Sequence, residues 1–482
     1  MTTAPAVSLD GVTWTYPNNT HPTLESINLA IAPGEFVVLC GASGSGKSTA
    51  LRVMNGLIPH FYADGTLRGS ARTSGMETSS VELAQLGGIT GTVLQHPRKQ
   101  FFADRVAPEI AFAMENFGYP SEQIQSRVDV ALSALAPHLP VGQSLGRLSG
   151  GQQQQVSIAA ASAHEPLVLL LDEPSSNLSI DAVQRLVETL RGLKEQGTTL
   201  VIAEHRLHYL TELLDRVIVF RSGTIARAWT AEQFRQLADD ELALEGLRGE
   251  LRTAHLPEIW ARGSSVAQHE PASSAAASAG TGLELIGIRC RFAGRTVLDI
   301  AYARFPAAAV TAVRGVNGAG KSTLARVIAG LQRCAGDVLF DGKAMSRRAR
   351  QQACGIVMQD VQRQLFAETV SEEITSAYAA GNVAESRNVL QELDLLEVAD
   401  RHPLSLSGGQ QQRLVIASVR VGQHSIIIFD EPSSGVDRRH LQSISDQIRS
   451  AADTGAVVIL ISHDEDLLAL AADAQLTLRR QE

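Results

Sequence analysis

The sequence predicts an α/β fold built twice in one chain, and three observations predict it. Near-continuous apolar runs at residues 36–40, 167–171, 199–203, 426–429 and 457–461 read as strands buried on both faces of a parallel sheet. Each run feeds a polar loop and then a helical stretch, as at residues 47–57 and 322–331. That alternation collects ligands beyond the carboxyl ends of the strands. Finally, a set of motifs recurs in the same order. GASGSGKST (41–49), LSGGQ (148–152), LLLDEP (169–174) and His205 are followed by GVNGAGKST (315–323), LSGGQ (406–410), IIFDEP (427–432) and His463. Leu148 and Leu406, Glu173 and Glu431, and His205 and His463 are each 258 positions apart. A lone glycine-rich loop is often only a strand-to-helix turn; a whole kit repeated in register is not.

The repeat sets the domain count for the 482 residues at two lobes, each of roughly 230–250 residues and able to bury its own core. Hydrophobic residues are 44% and charged residues 19% of the chain, a globular balance. A net charge of −9 argues against a broad nucleic-acid face, which needs a basic surface. Cys40, Cys290, Cys334 and Cys354 have no CxxC pairing and no metal-like spacing, so reduced thiols in a cytosolic protein are expected. The first residues carry no basic stretch followed by an apolar one, and no apolar run reaches the ~18 residues of a membrane span. A soluble protein is expected.

Residues 109–135 and 372–396 turn helical and more polar, and read as helical subdomains inserted into each α/β core. The expected division is a first domain at 1–235, a helical extension at 236–261, a linker at 262–282 and a second domain at 283–482. Residues 232–260 read as helical and acidic, most simply a packing extension of the first lobe. Residues 262–282 are rich in Ala, Ser and Gly without apolar periodicity. A flexible tether of about 20 residues spans roughly 25 Å and holds its partner near millimolar effective concentration.

GxxGxGK[ST] is a P-loop. Its glycines let backbone N–H groups close around phosphates at a helix N-terminus. In the first copy these residues are Gly41, Ser43, Gly44, Ser45, Gly46, Lys47, Ser48 and Thr49. In the second they are Gly315, Asn317, Gly318, Ala319, Gly320, Lys321, Ser322 and Thr323. Lys47 and Lys321 reach the β/γ-phosphates, and Ser48 and Ser322 bind Mg²⁺. Asp172 and Asp430 close apolar strands as metal-holding Walker B aspartates do. Glu173 and Glu431 follow at once, as general bases or water-orienting groups, a role typically worth ~10²–10⁴-fold in rate. His205 and His463, each after a strand, are placed to contact the γ-phosphate. Ser149, Gly150, Gly151 and Gln152, with Ser407, Gly408, Gly409 and Gln410, open a helix and form a second anion-binding surface.

On these motifs the chain resembles the nucleotide-binding subunits of ABC transporters, two of them fused. The resemblance implies two tandem P-loop NTPase domains. Each would have a RecA-like parallel-sheet core, an antiparallel β subdomain and an inserted helical subdomain. It implies that Ser149 and Gly151 act on ATP held at Lys321, and Ser407 and Gly409 on ATP held at Lys47, so that two ATP molecules are sandwiched head to tail. It marks Gln95 and Gln359 as Q-loop glutamines that sense Mg²⁺ and a membrane partner. Tyr16 and Phe292, about 25 residues before their P-loops, are marked as adenine-stacking aromatics.

After the Q-loops the halves read QHPRKQFFADRVAPEIAF (95–112) and QDVQRQLFAETVSEEI (359–374), which resembles the ATPases of energy-coupling-factor importers of vitamins and transition-metal ions. NGLIPHFYADG (55–65) and AEHR (203–206) resemble first halves of the fused versions. That family implies an integral coupling subunit, a small substrate-binding membrane subunit, and a place at the cytoplasmic face of the membrane. Soluble ribosome-acting twin-cassette ATPases would need a long charged helical arm between cassettes, and DNA-repair ATPases a zinc module or coiled coil. Fused sugar-import ATPases are a nearer alternative without the QxxxxQFF-type segment. Two departures stand out. The Ser-x-x-Asp D-loop survives as Ser434 and Asp437, while the first half has Ser176 and Ser179. Gln155 stands where the second half has Arg413. Both sites are expected to hydrolyse ATP, and the D-loop departure leaves equal and unequal rates open.

Overall fold

The strand Phe36–Cys40 shows how the apolar runs fold. Val37 and Leu39 enter one core, Phe36, Val38 and Cys40 the other, and all five are fully buried. Alternating side chains of a strand covered on both faces produce this division, with about 1.5–3 kcal/mol from each fully buried large side chain. The computed structural model describes the chain from Ala4 to Gln481, apart from residues 18, 63, 136, 138, 141, 177, 179, 249–252, 267–280, 293, 317, 359–360, 378–382, 407 and 434–437. Asn317, Gln359, Ser407, Ser179, Ser434 and Asp437 thus lie outside the described residues.

The chain separates into two compact units, Met1–Glu250 and Leu251–Glu482. In the first, a six-stranded sheet runs from edge to edge through Thr224–Thr230, Arg216–Arg221, Phe36–Cys40, Thr199–Ala203, Val168–Asp172 and Thr90–Val93. All neighbours are parallel except the first two. An antiparallel sheet of Leu24–Ile31, Val7–Thr15, Thr66–Thr73 and Met76–Glu77 completes the α/β part. The second unit has a wholly parallel sheet of Cys354–Val357, Ile426–Asp430, Val457–Ile461, Ala309–Arg314 and Ala474–Thr477. Its antiparallel sheet contains Ala261–Arg262, Arg295–Pro306, Gly282–Phe292, Ala335–Phe340 and Lys343–Ala344.

The inserted helical regions are Val106–Asn116 with Ser121–Leu135, and Val370–Ala377 with Val383–Glu392. The break in the first comes at Gly118, whose φ of 73° and following Pro120 end the helix. This insert has a core of its own, built on Val106, Ile110, Met114, Leu145, Leu148 and Val156.

One expectation is corrected. Residues 232–260 are not a continuous helix: among the described residues helix is confined to Ala231–Arg235 and Asp239–Leu244, with Gly246 in a left-handed conformation beyond. From residue 253 the chain is an extended strap on the second unit. Ala254 N–H donates to Glu465 (3.0 Å), Ile259 N–H to the Gln475 carbonyl (2.8 Å), and Ala261–Arg262 pairs with Arg295–Pro306. Residues 261–266, assigned from composition to the extension and linker, therefore pack as part of the second unit, with Val266 bridging Leu478. Among the described residues no helix is long and apolar enough to cross a membrane. All four cysteines are free thiols, and burial pushes Cys40 and Cys354 up to about 12.

Glu258 pins the strap, accepting from Gln475 Nε2 (2.9 Å), Thr477 N (3.1 Å) and Thr477 Oγ1. Glu258→Ala leaves these donors without an acceptor and should cost about 1–3 kcal/mol. The expected readout is loss of hydrogen-exchange protection at Thr477 and Ile259, with the first unit's amides unchanged.

Candidate active site

Each P-loop leaves a buried central strand, and sterics fix its glycines. Gly41 has φ 131°, and a Cβ there would lie 2.1 Å from the Phe220 carbonyl oxygen. Gly46 caps the helix Lys47–Met54 at φ 108°, where a Cβ would meet Leu24 at 2.8 Å. Gly315 and Gly320 repeat this, against Leu478 O (2.5 Å) and Leu298 (2.8 Å). These close approaches aim the start of each helix, Lys47–Met54 and Lys321–Ile328, into the bowl of its loop.

The lysines fold back onto their own loops. Lys47 Nζ donates to the carbonyls of Gly41 (2.8 Å) and Ala42 (2.9 Å), and Lys321 Nζ to those of Gly315 (2.7 Å) and Val316 (3.3 Å). Both are buried ammonium groups that donate to loop carbonyls, contacts an incoming phosphate can replace with charge pairing. Burial pulls Lys321 below the ordinary lysine range, with Glu431 and Asp430 pulling back.

Ser48 Oγ donates to Asp172 Oδ1 at 2.8 Å, and Ser322 likewise hydrogen-bonds Asp430. A hydroxyl and a carboxylate placed together beside the phosphate loop suit Mg²⁺, which binds through one or two protein oxygens plus phosphate and water. Burial, then the neighbouring Glu173, pushes Asp172 up to about 6 against Ser48, Arg52 and Lys47; burial likewise raises Asp430.

Glu173 and Glu431 leave the sheet at φ 47° and 54°, unusual for a side-chain-bearing residue. Each N–H is held at 2.8 Å, by the carbonyl of Ala203 or of Ile461. The Glu173 carboxylate lies between Gln95 Nε2 (2.7 Å) and His205 Nε2 (3.0 Å). Burial opposes its charge, but His205, Lys47 and Gln95 outweigh it and hold Glu173 below the ordinary glutamate range. It is thus an ionised acceptor able to orient or deprotonate a water. Gln95, expected at the metal, here donates to Glu173, and His205, expected at the γ-phosphate, does the same. In the second unit His463 Nε2 lies 3.8 Å from Glu431 Oε1, and His463 N–H donates to Glu431 Oε2 at 3.3 Å.

The signature helices begin as expected, at Gly150–Ser162 and Gly408–Val421. Ser149 forms a capping box with Gln152 (3.4 and 3.0 Å). Gly151 is required by packing, since a Cβ would lie 2.9 Å from Ala182. Gly150, Gly408 and Gly409 are not: a Cβ on each meets open space among the described residues, and none has positive φ. A glycine in a helix costs about 1 kcal/mol against alanine, so these three suit close approach by something outside their own unit.

Tyr16 stands edge-on to Trp14 (5.5 Å) and Tyr62 (5.3 Å). Its hydroxyl accepts from Arg52 Nη1 (3.0 Å) and lies 3.4 Å from Thr49 Oγ1. Phe292 is 44% exposed at the end of its strand. Two residues beside the site escaped sequence reasoning. Tyr62 joins the Tyr16 aromatic group, and Glu204 is a fully buried carboxylate next to His205. For Glu204 the signal was an acidic residue directly before the repeated histidine.

The raised Asp172 carboxyl has a stability consequence. Unfolded, the group ionises near pH 3.8; folded, near 6, so the native state binds the extra proton between them and loses stability as pH rises through that window. Asp172→Asn removes this penalty. In urea unfolding without nucleotide, its stability relative to wild type should improve by about 2 kcal/mol between pH 4.5 and 7.5. An unchanged difference at the two pH values would contradict the assignment.

A profile of the ABC transporter family matches residues 24–176 and 299–434, one segment in each unit. A putative ABC transporter ATP-binding protein of Treponema denticola is 38% identical over 465 residues, covering 96% of this chain and 93% of its own. One of Methanosarcina mazei is 30% identical over 525 residues, covering 99% and 88%. Among solved structures, RNase-L Inhibitor aligns with a TM-score of 0.60 at 20% identity over 97% of this chain and 87% of its own, a likeness of fold. With two P-loop cassettes in one chain and relatives matched over nearly their full length, this ATPase belongs to the ABC transporter ATP-binding family.

Proposed function

We propose that the chain is the ATP-hydrolysing subunit of an energy-coupling-factor-type importer, for a vitamin or transition-metal ion. The observation that carries this reading is a loop built twice beside the Q-loop. Gln100 Oε1 accepts from Leu94 N (2.9 Å) while its amide donates to the Thr92 carbonyl (2.9 Å). Gln364 does the same with Met358 N and the Ile356 carbonyl, both at 2.7 Å. Buried Glu109 takes the N–H groups of Phe102 (2.9 Å) and Ala103 (2.8 Å); buried Glu373 takes those of Phe366 and Ala367, both at 2.9 Å. The outcome is an aromatic ring held out on a rigid loop, Phe102 75% exposed and Phe366 85%. Exposed large apolar side chains on fixed backbone suit a protein partner.

The same loops connect to the signature helices. Arg98 Nε donates to Gln153 Oε1 (3.1 Å) and Gln362 Nε2 to Gln411 Oε1 (3.2 Å). A membrane subunit seated on Phe102 and Phe366 would thereby feel both the Gln95–Glu173 contact and the helix opened by Ser149. In this reading Lys47, Lys321 and the loop amides hold the phosphates of two ATP molecules. Ser48 with Asp172, and Ser322 with Asp430, would hold Mg²⁺, which neutralises phosphate charge. Glu173 and Glu431 activate water. Following the family resemblance, the signature glycines of one cassette close over nucleotide bound to the other; the open space at Gly150, Gly408 and Gly409 supports that reading.

The test is purification from membranes in mild detergent. Small integral membrane proteins should co-purify, and Phe102→Ala with Phe366→Ala should release them while leaving nucleotide binding intact. Recovery with ribosomes or DNA instead would overturn the proposal.

A further inference from the structure

Glu204 is 3% exposed and accepts five hydrogen bonds, with both oxygens engaged by N–H donors. Oε2 takes Ser175 N (3.3 Å), Ser175 Oγ (2.7 Å) and Tyr209 Oη (2.7 Å). Oε1 takes His205 N (2.7 Å) and Arg206 N (3.2 Å). One carboxylate thus joins two loops that diverge from neighbouring strands. Ser175 lies two residues beyond Glu173, and His205 hydrogen-bonds Glu173 directly.

Among the described residues of the second cassette no glutamate takes this place. The residues 258 positions on are Ser433, Ser462 and Leu467. Ser433 Oγ is buried without a hydrogen-bond partner, and Ser462 Oγ accepts from Asp464 N at 3.0 Å. Leu467 offers no hydroxyl. There the imidazole and carboxylate are farther apart, at 3.8 Å against 3.0 Å, and the histidine side chain is 21% exposed against 5%. The wider separation of this pair thus accompanies a different set of residues behind it.

The geometry points to Glu204 as a positioning residue that locks the Glu173–His205 pair and makes the Lys47 cassette the faster of the two ATP-hydrolysing sites. This rests on the reading of Glu173 as the water-activating carboxylate. Glu204 spends both oxygens on donors of the protein itself, so it acts through the two loops it joins. A fixed base needs little reorganisation before attack, and a misplacement of about 1 Å can cost ~10²-fold in rate. Glutamine cannot substitute, because N–H donors face both oxygens and either amide orientation sets donor against donor.

The experiment measures steady-state ATP hydrolysis by the full chain, with melting temperature as a folding control. Glu204→Gln should lower kcat by roughly tenfold with the KM for ATP unchanged. Tyr209→Phe, which removes one hydroxyl, should lower kcat by about twofold to threefold, again at constant KM. Ser462→Ala in the other cassette should leave both parameters as in wild type. Should Glu204→Gln fail to fold, the Tyr209→Phe result decides by the same split. The inference is overturned if the Glu204 and Tyr209 variants turn over at the wild-type rate, or if they raise KM and spare kcat. Glu173→Gln separates this failure from failure of the underlying reading. If Glu173→Gln abolishes most turnover while Glu204→Gln does not, only the strut is wrong; if Glu173→Gln hydrolyses ATP normally, the assignment of the base falls first.

Discussion

A buried lysine that donates to carbonyls of its own loop, facing two consecutive carboxylates at a strand end, is the constraint around which each cassette is arranged. Lys47 and Lys321 have been taken out of water and donate to carbonyls of their own loops. Asp172 and Asp430 have been driven toward protonation by burial. Neither condition favours the fold. Both would be relieved by a polyphosphate carrying a divalent cation, which would bring anionic oxygens to the lysine and positive charge to the aspartate. The parallel sheet, the glycines forced by Phe220 and Leu478, and the left-handed backbone at Glu173 and Glu431 all serve to hold this poised arrangement.

The cassettes share that arrangement and differ in what surrounds it. In the first, the catalytic-pair carboxylate is held from both sides, by Gln95 and by His205, and Glu204 stitches the two supporting loops together. In the second, serine and leucine stand at the corresponding positions and the pair is looser. The supports differ, while the P-loop lysines, the serine–aspartate pairs and the glutamate–histidine pairs recur in both cassettes. Preorganisation is a matter of the supporting shell, so the inferred difference in rate would need no change in a residue that meets the nucleotide.

Much of the fold was legible because fully buried parallel strands print as apolar runs, and their ends are marked by motifs whose chemistry is specific. The strands Phe36–Cys40, Thr199–Ala203 and Val457–Ile461 occur where the runs lie, and the P-loop and signature helices open where glycine and serine place them. The strap at residues 253–266 was not legible. The acidic and aliphatic residues of 232–260 mimic an amphipathic helix, but Gly246 and Pro257 interrupt that pattern, and the strap's conformation is set by partners far along the chain, Glu465, Gln475 and Thr477. Glu204 was hidden for a related reason. An acidic residue beside a histidine gives no sign of burial, and its five donors come from two loops that only the folded sheet brings together.

The account stands on two complete phosphate sites in one chain, each depending on its own lysine. Calorimetric titration with Mg²⁺-ATP under non-hydrolysing conditions measures this directly. Two nucleotides per wild-type chain are predicted, and one per chain for Lys47→Ala and for Lys321→Ala taken separately. A wild-type stoichiometry of one, or two nucleotides retained by either lysine variant, would contradict it.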